Sequence, residues 1–415
     1  MRSGGTFQAA RDRVLPMLAG RDRRLAYELA AGVLRRQADL DRRLGLRDAD
    51  PRLHDVLRLG AYQLAALARV PPYAAVATSV DLAREVVGER AARYVNRALR
   101  RLSRDARCKT RAGKHTHPAW LVARWRKAFG DSETERLVAW NDAKPSLTLQ
   151  PVRWSVDALR SPLHDAGFGV QDAPFGAGLQ VITGGTHPAS RISHPAQFPG
   201  YADGAFIVQD PAHALVCRYA AIPAGTLVYD ACAAPGGKAV MLARGGARVV
   251  AGDARPDRLA RLLETTRRAG VAIRVTVADL LSAPFAPGTL PAVLVDAPCS
   301  ATGTMARHPD ARWRVTPRTI ARAARLQHAL LEAAATLLGP GGVLVYSTCS
   351  LEPEENRDIV TEFLASHTEF ARAPVGGGGG GAVPAALLTA DGDLQTLPQR
   401  DGMDGAYAAR LARTR

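Results

Sequence analysis

The feature that most constrains the fold is a series of five short apolar runs in the second half of the chain. Each run ends in small or polar residues, and each is separated from the next by enough chain for a helix. The runs are Thr226 to Tyr229, Arg248 to Ala251, Ile273 to Val277, Ala292 to Val295 and Val343 to Tyr346. This alternation predicts an α/β domain with a parallel sheet covered on both faces. Because ligands bind outside the carboxyl ends of such strands, the five ends are expected to converge on one crevice.

The first third of the chain has a helical period instead. Its apolar residues recur three or four positions apart, and we expect them to form the core of an all-α bundle. The stripes are Leu25, Leu29 and Val33; Leu53, Leu57, Gly60, Leu64 and Leu67; Val76, Val80, Ala83 and Val87; and Val95, Ala98, Leu99 and Leu102.

A small α+β segment is predicted between these two regions. A short helix over Trp120 to Phe129 precedes a strand over Ser146 to Val152, a helix over Val156 to Asp165 and a strand over Leu179 to Thr183. The length of 415 residues fits roughly two to three domains. We therefore predict domains over residues 1–110, 111–200 and 201–415. The hexaglycine run Gly376 to Gly381 is expected to be a loop without a function.

Positive charge is concentrated in the first third. Residues 1–145 contain 30 Lys and Arg and 16 Asp and Glu, a net charge of +14, whereas the remainder carries +2. A GC-rich genome would explain abundant arginine but not this asymmetry, so a nucleic-acid partner is expected. The densest basic run consists of Arg97, Arg100, Arg101, Arg104, Arg107, Lys109, Arg111 and Lys114, for which a solvated face is the alternative to RNA contact.

The chain shows no secretory signal and no apolar stretch of the roughly 18 residues that a membrane span needs, so a cytoplasmic location is expected. The five cysteines (Cys108, Cys217, Cys232, Cys299 and Cys349) are widely spaced and never form C-x-x-C. Neither a disulfide framework nor a metal site is predicted. A monomer is the default expectation for the oligomeric state.

A cofactor loop is predicted after the first of the five strands. Residues 230–238 read D-A-C-A-A-P-G-G-K, whose small residues let the backbone approach a ligand closely. Asp253 ends the second strand, 17 residues after Gly236, near the offset at which an acidic residue binds a ribose hydroxyl. Asp279, at the third strand end, is placed to bond an adenine amino group. Because the loop is neither G-x-G-x-x-G nor a Walker sequence, S-adenosylmethionine fits better than a dinucleotide or a triphosphate.

Two cysteines follow the last two of these strands. Cys299 lies in D-A-P-C-S-A-T-G-T after the fourth strand, and Cys349 lies in S-T-C-S after the fifth. Methylation of cytosine at carbon 5 requires a thiolate to add to carbon 6, an acidic group near N3 and a base for the carbon-5 proton. A thiol of ordinary pKa needs a site that favours its anion, and helix N-termini at these strand ends are expected to provide it.

These motifs resemble the RsmB/Sun family of RNA cytosine-5 methyltransferases. The resemblance implies that Cys349 is the nucleophile, that Cys299 assists product release and that Asp296 bonds cytosine N3. It also implies an S-adenosylmethionine site made of Cys232, Ala233, Ala234, Pro235, Gly236, Gly237, Lys238, Asp253, Asp279 and Asp296. Further matching motifs begin at Asp203, Val208, Arg307, Pro353 and Asp404.

The first hundred residues resemble the NusB-type RNA-binding domain through motifs that begin at Arg21, Gly32, Gly60 and Val95. Together the resemblances imply a Rossmann-like methyltransferase domain with a mostly parallel seven-stranded sheet, a NusB-like bundle and small-subunit (16S) ribosomal RNA as substrate. The sequence departs from the family pattern at three sites: Ala301 replaces a glycine, the tripeptide Gln150-Pro151-Val152 replaces R-V-N, and Ala406 replaces a phenylalanine.

Three other functions stay open at this point. One is methylation of another RNA, and another is methylation of DNA cytosine, in which the nucleophile would be the cysteine of the P-C motif. The third is an antitermination or ribosome-assembly factor without chemistry, which would require a degenerate cofactor site. The residues argue against that last alternative, because Asp230, Asp253 and both cysteines are present.

Overall fold

The computed structural model describes residues 5–46, 50–105, 116–182, 195–373 and 383–414. Two features of the sequence lie outside these ranges: the hexaglycine run, and the second half of the basic run from Arg107 to Lys114. The chain divides into two compact units. The first contains residues 1–144 and 305–314, and the second contains residues 145–304 and 315–415.

The first unit is helical throughout its described elements. Its helices are α1 (Phe7–Val14), α2 (Gly20–Leu44), α3 (Pro51–Ala66), α4 (Pro72–Val86), α5 (Glu89–Arg104), α6 (Ala119–Asp142) and, from the later segment, α11 (Ala311–Arg314). Gly45 ends α2 in the left-handed conformation, and Asp50 begins α3 by accepting a hydrogen bond from the Arg52 amide. The predicted all-α bundle is therefore confirmed.

The core of this bundle is formed by the predicted apolar stripes of α2 to α5, among them Leu57, Val76, Val95 and Leu99. Leu25 is the exception, because 47% of it is exposed. The buried residues of α2 begin only at Ala31. Near this end of α2, Arg23 donates to the carbonyls of Leu15 and Leu18, each at 2.9 Å, and Leu25 is not among the apolar residues packed on the core. The prediction that Leu25 belongs to the core is wrong.

The helix predicted over Trp120 to Phe129 continues further than expected. At Gly130 the backbone leaves the helical conformation (φ 79°, ψ 171°), and a second helical stretch then completes α6. The Thr134 hydroxyl donates a hydrogen bond to the Gly130 carbonyl, four residues earlier, at 2.7 Å in the first turn of this second stretch. The predicted end lies next to the break, and the helical stretch beyond Gly130 was not predicted.

The segment 305–314 is held in the first unit by a buried arginine. The fully buried guanidinium of Arg312 donates to the carbonyl groups of Arg35, Thr116 and Asn141 and lies 2.8 Å from Asp142. Burial lowers the pKa of Arg312, and Asp142 opposes that shift. These contacts make the short helix α11 part of the helical unit although it is far away in sequence.

The second unit begins with a small antiparallel sheet. Its strands are β1 (Leu147–Pro151), β2 (Val170–Asp172), β3 (Leu179–Val181) and β4 (Phe206–Val208), in the order β2-β3-β1-β4, and α7 (Val156–Asp165) connects β1 to β2. This arrangement confirms the predicted α+β segment. The strand β4 lies beyond the boundary proposed at residue 200, and the three-domain division stays a prediction.

Within the described ranges, the large sheet has seven strands in one path and an eighth strand paired at its side. Its order is β10-β12-β9-β8-β5-β6-β7, with β11 on β12. The strands are β5 (Leu227–Asp230), β6 (Arg248–Asp253), β7 (Ile273–Val277), β8 (Leu290–Asp296), β9 (Leu338–Thr348), β10 (Phe370–Arg372), β11 (Leu394–Thr396) and β12 (Ala406–Arg413). The five strands β5 to β9 pair in parallel, and the last three pair antiparallel. All five predicted strands and the mostly parallel Rossmann-like sheet are confirmed.

Helices cover both faces of this sheet. They are α8 (Pro211–Ala220), α9 (Gly237–Arg244), α10 (Pro256–Ala269), α12 (Pro317–Leu337), α13 (Arg357–Ser366) and α14 (Pro398–Asp401). One core contains Val293, Tyr346 and Phe363, and the other contains Val228, Leu262 and Leu294. Within the described residues, no helix has the length and apolar character needed to cross a membrane.

Candidate active site

The polar strand ends meet at the carboxyl edge of the large sheet. Asp230 ends β5, Asp253 ends β6, Asp296 ends β8 and Cys349 follows β9, while the order β9-β8-β5-β6 makes these strands neighbours. Asp296 pairs with Ser347 in the register of β8 and β9, so the two cysteine loops leave the sheet side by side. The expected convergence of these strand ends on one edge is therefore observed.

The loop between β5 and α9 turns tightly at Gly236. Gly236 has φ 100°, and a Cβ atom there would lie 3.2 Å from Leu262 Cγ. The Ala234–Pro235 peptide is cis. Arg258 donates a hydrogen bond to the Ala234 carbonyl at 2.7 Å and fixes the loop from α10. Positive φ and tight packing explain why a glycine stands at position 236.

One buried carboxylate beside this loop has unsatisfied oxygen atoms. Among the described residues, neither oxygen of the fully buried Asp230 has a hydrogen-bond partner, whereas Oδ2 of the buried Asp253 forms an ion pair with Arg258 at 3.2 Å. Burial raises the pKa of Asp230 to about 7, and the nearby Asp296 adds to that shift. Oδ1 of Asp253 accepts from the Arg255 amide at 2.9 Å. Orphaned buried acceptors fit S-adenosylmethionine, which offers an amino group and ribose hydroxyls as donors.

Asp279 follows β7 at the same edge but is exposed. Its Oδ1 accepts a hydrogen bond from the Leu281 amide at 3.0 Å and caps a single 3₁₀ turn over Leu280–Ser282. In this conformation part of the carboxylate is used locally, and contact with an adenine amino group stays a prediction.

An ion pair joins the cofactor loop to β8. Lys238 Nζ lies 2.7 Å from Asp296 Oδ2 and 3.1 Å from Nδ1 of His213, and Ser347 Oγ donates to Asp296 Oδ1 at 3.0 Å. Burial favours a higher pKa for Asp296, but the charges of Lys238 and His213 outweigh it and the pKa lies below its usual value. Burial likewise favours a lower pKa for Lys238, and Asp296 reverses that effect. Asp296 is therefore an ionised acceptor at neutral pH.

The two cysteines lie next to each other and are half-buried. Their Sγ atoms are 3.1 Å apart. The hydrogen bond with Cys349 raises the pKa of Cys299 well above its ordinary value, burial adds to the shift, and an amide hydrogen bond from Ala301 opposes it. No long helix begins directly after either cysteine, because 3₁₀ turns over Thr302–Thr304 and Pro353–Glu355 follow instead. The expectation that helix N-termini favour the anions at these positions is therefore wrong.

The two cysteine loops are also linked through their backbones. The Gly303 amide donates to the Cys349 carbonyl at 3.0 Å, and the Leu351 amide donates to Thr302 Oγ1 at 2.8 Å. A Cβ atom at position 303 would lie 2.8 Å from the Cys349 carbonyl oxygen and 2.6 Å from that of Gly405. Glycine at position 303 thus permits the contact between the loops.

The three departures from the family pattern have distinct structural settings. Ala301 adopts φ 59°, the left-handed region in which a glycine would be unstrained. Gln150 is buried and donates to the Ala177 carbonyl at 2.8 Å within the small sheet. Ala406 is buried at the start of β12, where its amide donates to Thr396 Oγ1 at 2.8 Å.

The sequence did not predict the contact of His213 with Lys238 or the role of Glu355 in joining the two cysteine loops. His213 stands on α8, three positions after Asp210 of the matched V-Q-D motif, and no pattern in the chain links it to Lys238. Glu355 was included in a matched motif without a role. The sequence shows a serine after each cysteine, but only the structure shows that both serines bond to Glu355.

Comparisons with known proteins agree with this arrangement. Family models match residues 6–104 (NusB family), 117–183 (RsmF/B-like ferredoxin-like domain) and 221–412 (16S rRNA methyltransferase RsmB/F). A probable ribosomal RNA small subunit methyltransferase B from Synechocystis is 35% identical over 94% of this chain and 91% of its own. The Klebsiella pneumoniae ribosomal RNA small subunit methyltransferase B is 32% identical over 97% of this chain and 94% of its own.

Solved structures show the same fold. The protein titled PH0851 superposes with a TM-score of 0.77 at 24% identity and covers 94% of this chain and 90% of its own. NSun6 from Pyrococcus horikoshii, solved with SFG, has a TM-score of 0.59 at 18% identity and covers 72% of this chain and 98% of its own. The fold and the cofactor edge are those of an S-adenosylmethionine-dependent methyltransferase. Within that class, the chain belongs to the RsmB/Sun family.

Proposed function

We propose that this enzyme transfers a methyl group from S-adenosylmethionine to carbon 5 of a cytosine in small-subunit (16S) ribosomal RNA. The observation that carries the proposal is the pair of thiols, 3.1 Å apart, at the strand end next to the Lys238–Asp296 ion pair. The names of the relatives support small-subunit ribosomal RNA as the class of substrate. The cytoplasmic location, the monomeric state and the absence of a metal stay predictions.

Cys349 is the proposed nucleophile, and its sulfur forms a bond to carbon 6 of the cytosine. Electron density then moves to carbon 5, which becomes nucleophilic enough to accept a methyl group. S-adenosylmethionine supplies that methyl group as a sulfonium substituent. After transfer, loss of the carbon-5 proton restores the double bond and breaks the bond between carbon 6 and sulfur, which frees Cys349.

Cys299 is proposed to assist this release. Its raised pKa keeps its proton in place while the neighbouring Cys349 attacks. Once Cys349 is bonded to carbon, its sulfur no longer carries a charge, so the main cause of the raised pKa is removed. Cys299 can then lose its proton to solvent and, as a thiolate, accept the carbon-5 proton of the adduct while the bond between carbon 6 and sulfur breaks.

Asp296 and Lys238 are proposed to act at N3 of the cytosine. The addition of sulfur to carbon 6 places negative charge on N3, which a hydrogen-bond donor stabilises. An ionised Asp296 has no proton to donate, whereas the Lys238 ammonium group lies 2.7 Å from its Oδ2 atom. Lys238 therefore serves as the proton source, and Asp296 orients it.

RNA binding is assigned to the first unit. The four arginines of the basic run that lie on α5 (Arg97, Arg100, Arg101 and Arg104) are all exposed, while the apolar residues between them are buried. An exposed row of guanidinium groups on one helix suits a phosphate backbone. The net charge of +14 in residues 1–145 agrees with this assignment.

The test is transfer of a tritiated methyl group to small-subunit ribosomal RNA, with identification of the methylated nucleoside. The wild-type enzyme should yield 5-methylcytidine, and Cys349→Ala should reduce transfer at least about 10³-fold, because the nucleophile has no substitute. Cys217→Ala, which removes another half-buried thiol, is the matched control and should retain activity. Full activity of Cys349→Ala, or methylation at another atom, would contradict the proposal. If Cys349→Ala retained turnover and Cys299→Ala lost it, the nucleophile would instead be Cys299, the cysteine of the P-C motif, as in DNA cytosine methyltransferases.

A further inference from the structure

Both cysteine loops are bonded to one buried carboxylate. The hydroxyl groups of Ser300 and Ser350, the residues that follow Cys299 and Cys349, both donate to Oε2 of Glu355. The Ser300 amide also donates to Oε1 of Glu355 at 2.9 Å. The serine hydroxyl oxygens are themselves 3.2 Å apart. One side chain therefore connects the residues next to both sulfur atoms.

Glu355 is in turn fixed by two other elements. Gln327 of α12 donates to Oε1 of Glu355 at 3.2 Å and to the Pro298 carbonyl at 2.9 Å, so it holds the carboxylate and the first cysteine loop together. The Tyr346 hydroxyl of β9 donates to the Glu355 carbonyl at 2.7 Å. The carboxylate thus has partners on α12 and both loops, and the backbone of Glu355 is bonded to β9, so the residue has little freedom to move.

Burial of the Glu355 carboxyl group does not favour the stability of the folded protein. Glu355 is fully buried, and within the described ranges no Lys, Arg or His side chain forms an ion pair with it. A buried carboxyl group held only by neutral donors contributes less to stability than an apolar residue of the same volume would. Glu355 also raises the pKa of Cys299, which connects it electrostatically to the sulfur pair. A part in the reaction accounts for these features better than a part in packing.

We propose that Glu355 is a positioning residue that sets the relative place of the two thiols by holding the serine after each cysteine. This inference rests on the proposed function, in which Cys349 attacks and Cys299 assists release. Both cysteines lie in loops without regular secondary structure, so the shared carboxylate is their common reference point. A misplacement of about 1 Å is enough to reduce such a reaction by about 100-fold.

The first test separates turnover from binding. In Glu355→Gln the acceptor oxygen that receives both serines is weakened or replaced by a donor, so kcat for methyl transfer should fall by about 100-fold while KM for S-adenosylmethionine changes less than about threefold. Glu354→Gln, a change of the same kind one residue earlier, is the matched control and should retain kcat. A kcat of Glu355→Gln within twofold of wild type would overturn the proposal.

The second test uses the sulfur atoms themselves and requires no RNA. An added diazene oxidant such as diamide takes two electrons and two protons from the thiols, becomes a hydrazine and leaves one sulfur–sulfur bond. At 3.1 Å the wild-type thiols should couple rapidly. In Ser300→Ala/Ser350→Ala, which leaves the charge unchanged, coupling should slow by at least about tenfold, because the loops lose their common anchor. Alkylation rates of the single thiols, measured in parallel, correct for changes in thiolate content.

The two tests fail in different ways. If no RNA is methylated but coupling of the thiols depends on the two serines, then the proposed function is wrong and the positioning inference stands. If methylation proceeds through Cys349 but the serine double variant couples its thiols at the wild-type rate, the positioning inference is overturned. Adding Glu355→Gln to the serine double variant should lower kcat by less than about threefold more, since the three groups act as one unit. A further loss as large as that of Glu355→Gln alone would also overturn it.

Discussion

Lys238 Nζ lies 2.7 Å from Asp296 Oδ2, and this ion pair joins the cofactor loop to the strand end that precedes Cys299. Lys238 is almost fully buried, whereas about a third of the Asp296 side chain is exposed. The pair is therefore partly open to solvent, and the proposed reaction makes use of both of its members.

Replacing Asp296 with Asn should lower both the free energy of unfolding and the rate of methyl transfer. Without the carboxylate, the buried Lys238 ammonium group loses its partner, and we expect a loss of about 2 kcal/mol in the free energy of unfolding, less than for a fully buried pair because of solvent screening. Methyl transfer should fall by at least about 100-fold. Urea unfolding and a transfer assay measure the two effects. Wild-type turnover in Asp296→Asn would contradict the assigned part of the pair.

The sign of the acid dependence follows from the lowered pKa of Asp296. Because the carboxylate is stabilised in the folded state, its contribution is present above its unfolded pKa of about 3.9 and is lost as the pH falls through the lower folded value. Asp296→Asn should remove this part of the acid-induced loss of stability.

Asp230 should have the opposite effect. Its folded pKa of about 7 lies above the unfolded value of about 3.9, so the ligand-free protein loses stability through this group as the pH rises from about 4 to about 7, by an amount on the order of 4 kcal/mol. Asp230→Asn should therefore stabilise the ligand-free protein at pH 8 and weaken binding of S-adenosylmethionine. Thermal unfolding and calorimetric titration test both statements. A variant less stable than wild type at pH 8 would be the contrary result.

Ala301 carries backbone strain that a glycine would relieve. At φ 59° an L-residue costs roughly 1–2 kcal/mol, while a glycine adds about 0.4–1 kcal/mol of unfolded-state entropy. Ala301→Gly should thus raise the free energy of unfolding by about 0.5–1 kcal/mol, as measured in urea. The control is Ala297→Gly, at a buried position without a positive φ, which should be destabilising. Equal destabilisation of both variants would rule out strain at position 301.

The arginines of α5 should control RNA affinity and its salt dependence. Arg97, Arg100 and Arg104 are exposed, and replacing all three with Ala should weaken RNA binding at every sequence and reduce the salt slope by about 2–3. The matched control replaces the exposed Arg318, Arg322 and Arg325 of α12, which removes the same charge from the second unit. Filter binding over a range of salt concentrations measures both triple variants. Equal losses in the two would indicate a general effect of net charge.

The sequence predicted the features that depend on local patterns. The five parallel strands follow from apolar runs with polar ends, and the bundle follows from helical stripes such as that of Val95 and Leu99. The placement of both cysteines at adjacent strand ends follows from strand order. Each of these inferences uses residues that are close together in the sequence or a general rule of sheet topology.

The remaining features depend on contacts between distant residues. The raised pKa of Asp230 is caused by complete burial, which its neighbours in the sequence do not reveal. Leu25 fits the helical stripe but is largely exposed, and the approach of His213 to Lys238 depends on how α8 packs. The hydrogen bonds of Glu355 to both serines join residues up to 55 positions apart, so no local sequence pattern predicts them.

The proposed transient bond between Cys349 and a cytosine can be located by peptide mapping of the trapped protein–RNA complex. Cys299→Ala should accumulate a covalent protein–RNA adduct because release is impaired, visible as a shifted band in a denaturing gel. After nuclease and protease digestion, mass spectrometry should find the cytidine-derived mass on the peptide that contains Cys349, and Cys299→Ala/Cys349→Ala should form no adduct. A cytidine mass on another residue, or an adduct that persists in the double variant, would show that Cys349 is not the nucleophile.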